Sequence, residues 1–163
     1  MSKLLKTIRF DESDENVFHN AAPQQEWAIS CAFQFCDHQW DELDGKTRQA
    51  FTNGFLGLGS FGYATFGCVA NITGSALAET EMVLAKYIFE NYRAPDLQSA
   101  LDAARQEIAY TSQLCADVPE NTVFAVKREF SMDGRIKEAF HKIDTQDEDG
   151  LHAKIWTIVE DDT

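Results

Sequence analysis

Basic residues are scarce in this chain: 14 Lys and Arg stand against 27 Asp and Glu in 163 residues, for a formal net charge of −13. Affinity for a phosphate backbone comes mainly from clustered Lys and Arg, so the deficit argues against nucleic acid as a partner. An anionic membrane surface is disfavoured for the same reason. Long apolar runs are missing too; every stretch is interrupted well short of the roughly 20 residues that a spanning helix needs, so no transmembrane segment is expected. The first ten residues carry Lys3, Lys6 and Arg9 but no apolar core and no small-residue cleavage site, which predicts no secretory signal and a cytoplasmic protein. Cysteine is limited to Cys31, Cys36, Cys68 and Cys115, irregularly spaced, as expected for reduced thiols rather than a disulfide framework. No P-loop string, no G-x-S-x-G elbow and no His-x-x-x-His pair occurs.

What is present suits a packed core. At 44% apolar and 12% aromatic, residues 1–163 are expected to form a single α+β domain without staples. Residues 4–10 have strand composition, and the acidic run from Asp11 to Glu15 reads as a solvated loop. Residues 27–36 alternate, which predicts a strand with Trp27, Ile29, Cys31, Phe33 and Phe35 on its core face. Apolar residues return at helical spacing between Trp40 and Phe55, with Asp44 as a possible start. Residues 54–74 hold six of the nine glycines and contain a predicted strand, 61–72. Ser75 is placed to cap a helix running to Tyr92, and Asp96 to cap a second running to Cys115; the short link makes an antiparallel αα-hairpin.

The last third reads as strands at 122–130, 135–143 and 151–159. A two-residue turn at Asp133-Gly134 would set Glu129 against Glu138, whereas a four-residue loop sets Lys127 there, and charge favours the second. The resulting order, β-β-α-β-α-α-β-β-β, predicts an antiparallel or mixed sheet with an αα-hairpin and one further helix packed on it.

Candidate sites are few. Gly57, Gly59 and Gly62 spell G-x-G-x-x-G, but a helical pattern precedes them and a strand pattern follows, the reverse of a dinucleotide site. They read as a turn that could still face a ligand. Cys36 and His38 would share a face if their strand continued, which makes them weak candidates for a metal or an activated thiol. Cys115 lies on a helix's core stripe and should be inert, as should Cys68. Glu81 falls within the apolar arc of Leu77, Ala78, Ala85, Ile88 and Tyr92; a carboxylate there must pair, reach solvent or open on a cavity. Arg128, Lys137 and His141, with Arg135 nearby, are expected on one face of the C-terminal hairpin, where they could hold a small anion or an acidic segment. Asp147-Glu148-Asp149-Gly150 resembles part of a calcium loop but lacks its first Asp and closing Glu, and reads as a turn.

The segments Leu5-Lys6-Thr7-Ile8-Arg9, Glu26-Trp27-Ala28-Ile29-Ser30 and Arg48-Gln49-Ala50-Phe51 through Gly54-Phe55-Leu56-Gly57, with Ser60-Phe61-Gly62, resemble a family of small bacterial proteins of unknown function. The resemblance covers most of the chain. It implies an accessory role beside the maturation of molybdenum-containing formate dehydrogenases, and it transfers no catalytic residue. The expectation is therefore a non-catalytic protein without cofactor or metal, binding a protein partner or a second copy of itself. The alternative is a small-ligand binder or enzyme with a pocket near residues 54–62 and Glu81, helped by His38. Three clusters, at residues 11–15, 144–149 and 160–162, supply eleven of the 27 acidic residues, so much of the charge reads as solubilising surface.

Overall fold

The computed structural model describes residues 2–143 and, as backbone, the strand at residues 155–162. Among the described residues eight strands form one sheet: β1 (Ser2–Ile8), β2 (Trp27–Ser30), β3 (Phe55–Gly57), β4 (Tyr63–Ala64), β5 (Phe66–Ile72), β6 (Val123–Phe130), β7 (Ile136–Ile143) and β8 (Ile155–Asp162). Their order is β4-β3-β2-β1-β5-β6-β7-β8, and every neighbouring pair is antiparallel. Four α-helices accompany it among the same residues: α1 (Ser13–Val17), α2 (Gly45–Asn53), α3 (Gly74–Asn91) and α4 (Leu97–Cys115). The expected α+β class and αα-hairpin are both present. The turn expected at residues 147–150 lies outside the described residues.

The sheet is curled. Only Thr65 separates β4 from β5, yet β3, β2 and β1 lie between them in the sheet. In a flat sheet these strands would stand about 19 Å apart, at about 4.8 Å per neighbour, whereas two peptide steps reach about 7 Å. The β4 edge must therefore swing round toward β5. The single strand expected at 61–72 is two strands bent at Thr65, and the bend is pinned: Thr65 Oγ1 donates to Asp14 Oδ1 at 2.6 Å and Thr65 N to Asp14 Oδ2 at 3.3 Å. Asp14 is buried in consequence, so the acidic run is not wholly solvated; its second half forms α1.

At β1 both faces of the sheet are covered, so Leu4 and Leu5, adjacent on that strand, are each fully buried. Inside the curl lie Leu5, Ala28, Phe55, Val69, Phe124, Val126 and Phe140. The helices build the other core, with Leu84 and Ile88 of α3 and Ala100, Ala104 and Ile108 of α4 against Leu4, Ile29, Leu56 and Ile72.

Helix α4 serves both cores because it wedges between β1 and β2. Those strands pair at Leu5↔Ala28 and Lys6↔Trp27. Two residues further on, where Lys3 would meet Ser30, side chains of α4 take over the ladder: Ser112 Oγ donates to the Lys3 carbonyl at 2.7 Å, and Ser30 N donates to Thr111 Oγ1 at 3.0 Å. Strand β2 thus ends at Ser30, six residues before the alternation stops at Cys36, and residues Ala32–Phe35 form a 3₁₀ turn. Caps fix the helices: Asp96 accepts from Ser99 N at 2.7 Å, as read from the sequence, and Asp44, read only as a helix start, is the cap of α2 and accepts from Thr47 N at 2.7 Å. Helix α3 starts earlier than expected, with Thr73 rather than Ser75 as the cap, accepting from Ala76 N at 3.1 Å.

Candidate functional site

The hairpin register decides what faces the interior. Strands β6 and β7 pair Arg128 with Glu138 and Glu129 with Lys137, around a five-residue loop, Ser131 to Arg135. The loop closes through Ser131 N donating to the Arg135 carbonyl at 2.7 Å, with Gly134 at φ +86°. The register lies one step from both alternatives read from the sequence, and a one-residue slip moves every side chain to the other face. Arg128 is thereby separated from Lys137 and His141, which alternate onto the opposite side of the sheet. The expected basic cluster is not one face.

Inside, Arg128 and Glu138 are each 1% exposed and form the centre of a polar network. Arg128 Nε donates to Glu138 Oε2 at 2.5 Å, Nη1 to the carbonyls of Phe51 at 2.9 Å and Gly54 at 2.8 Å, and Nη2 to Ser30 Oγ at 3.2 Å. Ser30 Oγ donates to Glu138 Oε2 and Tyr110 OH to Glu138 Oε1, both at 2.6 Å. Cys31 Sγ lies 3.3 Å from Nη1, and burial pushes this thiol up despite the neighbouring Arg128 charge. Every buried side-chain polar atom among the described residues has a partner. Such satisfaction is what makes a buried pair tolerable, since removing one member leaves an uncompensated charge.

On the solvent side of this network lies a pocket of about 230 Å³. Its floor is Ser30 and Glu138, and its walls include Phe33, Cys36, Glu107, Tyr110 and Ile136. These come from β2, the 3₁₀ turn, α4 and β7, so the wedge of α4 between β1 and β2 is what brings them together. Glu107 is half-buried and has no hydrogen bond or ion pair among the described residues. Burial, and secondarily the Glu138 charge, push its carboxyl above the usual range. Cys36 is also pushed up, first by burial and then by Glu107 and Asp37, so its thiol stays protonated and a weak nucleophile.

The other candidates sit elsewhere. Cys36 and His38 are not brought together: His38 Nδ1 lies 3.6 Å from Glu42 Oε2 and its ring meets Phe35. No group of three His, Cys, Asp or Glu able to hold a metal occurs among the described residues. Glu81 reaches across the αα-hairpin to Arg105, with Oε1 3.7 Å from Nε. The glycine turn holds a carboxylate of its own chain, since Glu26 accepts from Ser60 N and Ser60 Oγ, both at 2.8 Å. A Cβ on Gly57 or Gly59 would meet the Glu26 carboxylate, and one on Gly62 would meet the backbone of residues 21 and 22. Lys137 is exposed, and Arg135 Nε lies 3.5 Å from Asp133 Oδ2. Cys115 is buried with its thiol pushed up to about 12, as an inert core residue should be.

Sequence reasoning passed over Ser30, Glu107, Tyr110 and Glu138. The sequence carries a signal for Glu138, because the hairpin alternatives differ in its partner. Glu107 carried none, lying between apolar positions on an ordinary amphipathic helix.

Among described residues no helix is long and apolar enough to cross a membrane. Comparison with curated proteins and with solved structures finds no match. Residues 1–158 do match a family described as a "Family of unknown function (DUF6505)", and the chain belongs to that family.

Proposed function

We propose that this protein is a non-catalytic small-molecule binder whose site is the pocket between the 3₁₀ turn, α4 and β7. One observation carries the reading: a pocket of about 230 Å³ opens directly on an internally satisfied polar floor. Concave sites with apolar walls and a few fixed polar groups are the usual form of a small-ligand site. Catalysis fits this floor poorly. The hydroxyls of Ser30 and Tyr110 both donate to Glu138, whose oxygens also take Arg128, so the donors and acceptors of the floor are already engaged with one another rather than with a reacting group.

The test is a thermal-shift screen of a fragment collection against the full chain and an Ala32→Trp variant, which fills the pocket from its rim. Stabilisation by fragments that the filled variant no longer binds is expected. No stabilisation, or equal stabilisation of the two proteins, defeats the reading. A turnover abolished by Ser30→Ala in a folded protein defeats its non-catalytic half. An accessory role beside formate dehydrogenase maturation rests on resemblance alone, and capture of such an enzyme by the tagged chain in its native host tests it.

A further inference from the structure

The pocket has a chemical preference written in its lining. Among the described residues it presents Glu107 and Glu138 and no Lys, Arg or His. Arg128 supplies the local positive charge, but it lies beneath Glu138 and is spent on that carboxylate and on the carbonyls of Phe51 and Gly54. Glu138 is thus compensated from behind. Glu107 is not: it stands on α4 beside the pocket, half-buried and without a partner among the described residues, facing Glu138 from β7, Tyr110 from its own helix and Cys36 from beyond the 3₁₀ turn.

A half-buried carboxylate lacking a counter-charge favours a ligand that brings one. An anion would meet two carboxylates, and a neutral molecule would leave Glu107 as it is. A bare metal ion would find too few ligands, since no three-residue set exists among the described residues. The rings of Phe33 and Tyr110 in the wall suit a cation carrying an apolar body, because an aromatic face attracts positive charge. The volume of about 230 Å³ gives room for something the size of a single substituted ring.

We propose that this pocket binds a small organic cation, an ammonium or guanidinium on a short apolar or aromatic body, with Glu107 as its counter-ion and Phe33 and Tyr110 against its body. The proposal rests on the ligand-binding reading above and names the ligand class.

Isothermal titration of the full chain at neutral pH and low ionic strength with benzylammonium, benzyl alcohol and benzoate tests it, since the three share a ring and differ in charge. Benzylammonium should bind at least about tenfold more tightly than benzyl alcohol, the worth of one charge-assisted hydrogen bond, and benzoate more weakly than either. In Glu107→Gln the preference for the cation over the alcohol should vanish while thermal unfolding stays cooperative. A second readout is the proton balance. As pH falls toward the carboxylate range, benzylammonium binding should release protons from the wild type, seen as heats that depend on buffer ionisation enthalpy, and should release none from Glu107→Gln. Equal affinity for the cation and the alcohol overturns the cation assignment while leaving the pocket a ligand site. Retention of the preference in Glu107→Gln overturns the role given to Glu107. No binding of any of the three overturns the cation proposal, and if the fragment screen is also silent the pocket reading falls with it.

Discussion

The glycine turn and the α4 pocket both face carboxylates, and they differ in who supplies the partner. At the turn, Gly57 and Gly59 leave room for Glu26, which is held by the amide and hydroxyl of Ser60. The chain fills its own cradle. At the pocket, Glu138 is equally well provided for, but Glu107 beside it has no partner among the described residues. A G-x-G-x-x-G string thus marks a place where the backbone comes close to something, and here that something is the protein itself.

The largest test of this contrast is the floor of the pocket. Arg128→Met alone strands the Glu138 charge in the interior and should lower stability by about 3–5 kcal/mol, while the double variant Arg128→Met/Glu138→Leu should recover most of the loss. Urea denaturation measures both. A single variant as stable as the double would mean that Glu138 finds water or another donor, and the floor would then be no rigid, closed network.

Next comes the glycine turn. Gly62→Ala drives a methyl against the backbone at Ala22 N, 2.7 Å away, and Ala21 C, 2.8 Å away. It should cost about 1–3 kcal/mol, the range for overpacking where nothing can yield. Gly59→Ala meets only the end of the Glu26 side chain, which can swing aside, and should cost less. The reverse order in thermal unfolding would show that the Glu26 carboxylate, and not the close backbone approach, sets the turn. Thr73→Ala at the start of α3 gives a yardstick of about 1 kcal/mol for losing one ordinary cap.

Much of this fold was legible because local chemistry and global packing agree. Asp96 caps its helix as its position announces, and the αα-hairpin follows from periodicity and a short link. The hidden features all depend on distant partners. Strand β2 ends at Ser30 because Thr111, 81 residues away, replaces its ladder partner. The strand pattern at 61–72 breaks at Thr65 because the sheet curls and Asp14, 51 residues earlier, holds the bend. Pairwise charge alone favours the β6–β7 register that sets Lys127 against Glu138. The fold instead pairs Glu138 with Arg128, whose guanidinium also finds two carbonyls and Ser30 inside. Counting only the cross-strand pair missed those acceptors. The same omission hid the site, since the pocket exists only once α4 is wedged beside β2.

The smallest expected effect separates Glu107 from Glu26 and Glu138 most sharply. Burial raises the Glu107 carboxyl above its value in the unfolded chain, so the native state holds its proton to higher pH. Between the two values the native state binds more protons than the unfolded state, and stability falls as pH rises until the folded group has ionised. At neutral pH the ionised group is therefore a burden on the fold. Glu107→Gln keeps the shape and removes the charge, so it should be slightly more stable than the wild type at pH 7, by less than about 1 kcal/mol for a half-exposed group. The advantage should disappear below the ordinary glutamate range, where the wild type is protonated as well. Denaturation of both proteins at neutral and acid pH gives the comparison, and adding benzylammonium at pH 7 should reverse its sign, because only the wild type then gains a counter-ion. A glutamine variant less stable than the wild type at pH 7 without ligand would mean that Glu107 is already paired, and the contrast between the filled cradle and the open pocket would be lost.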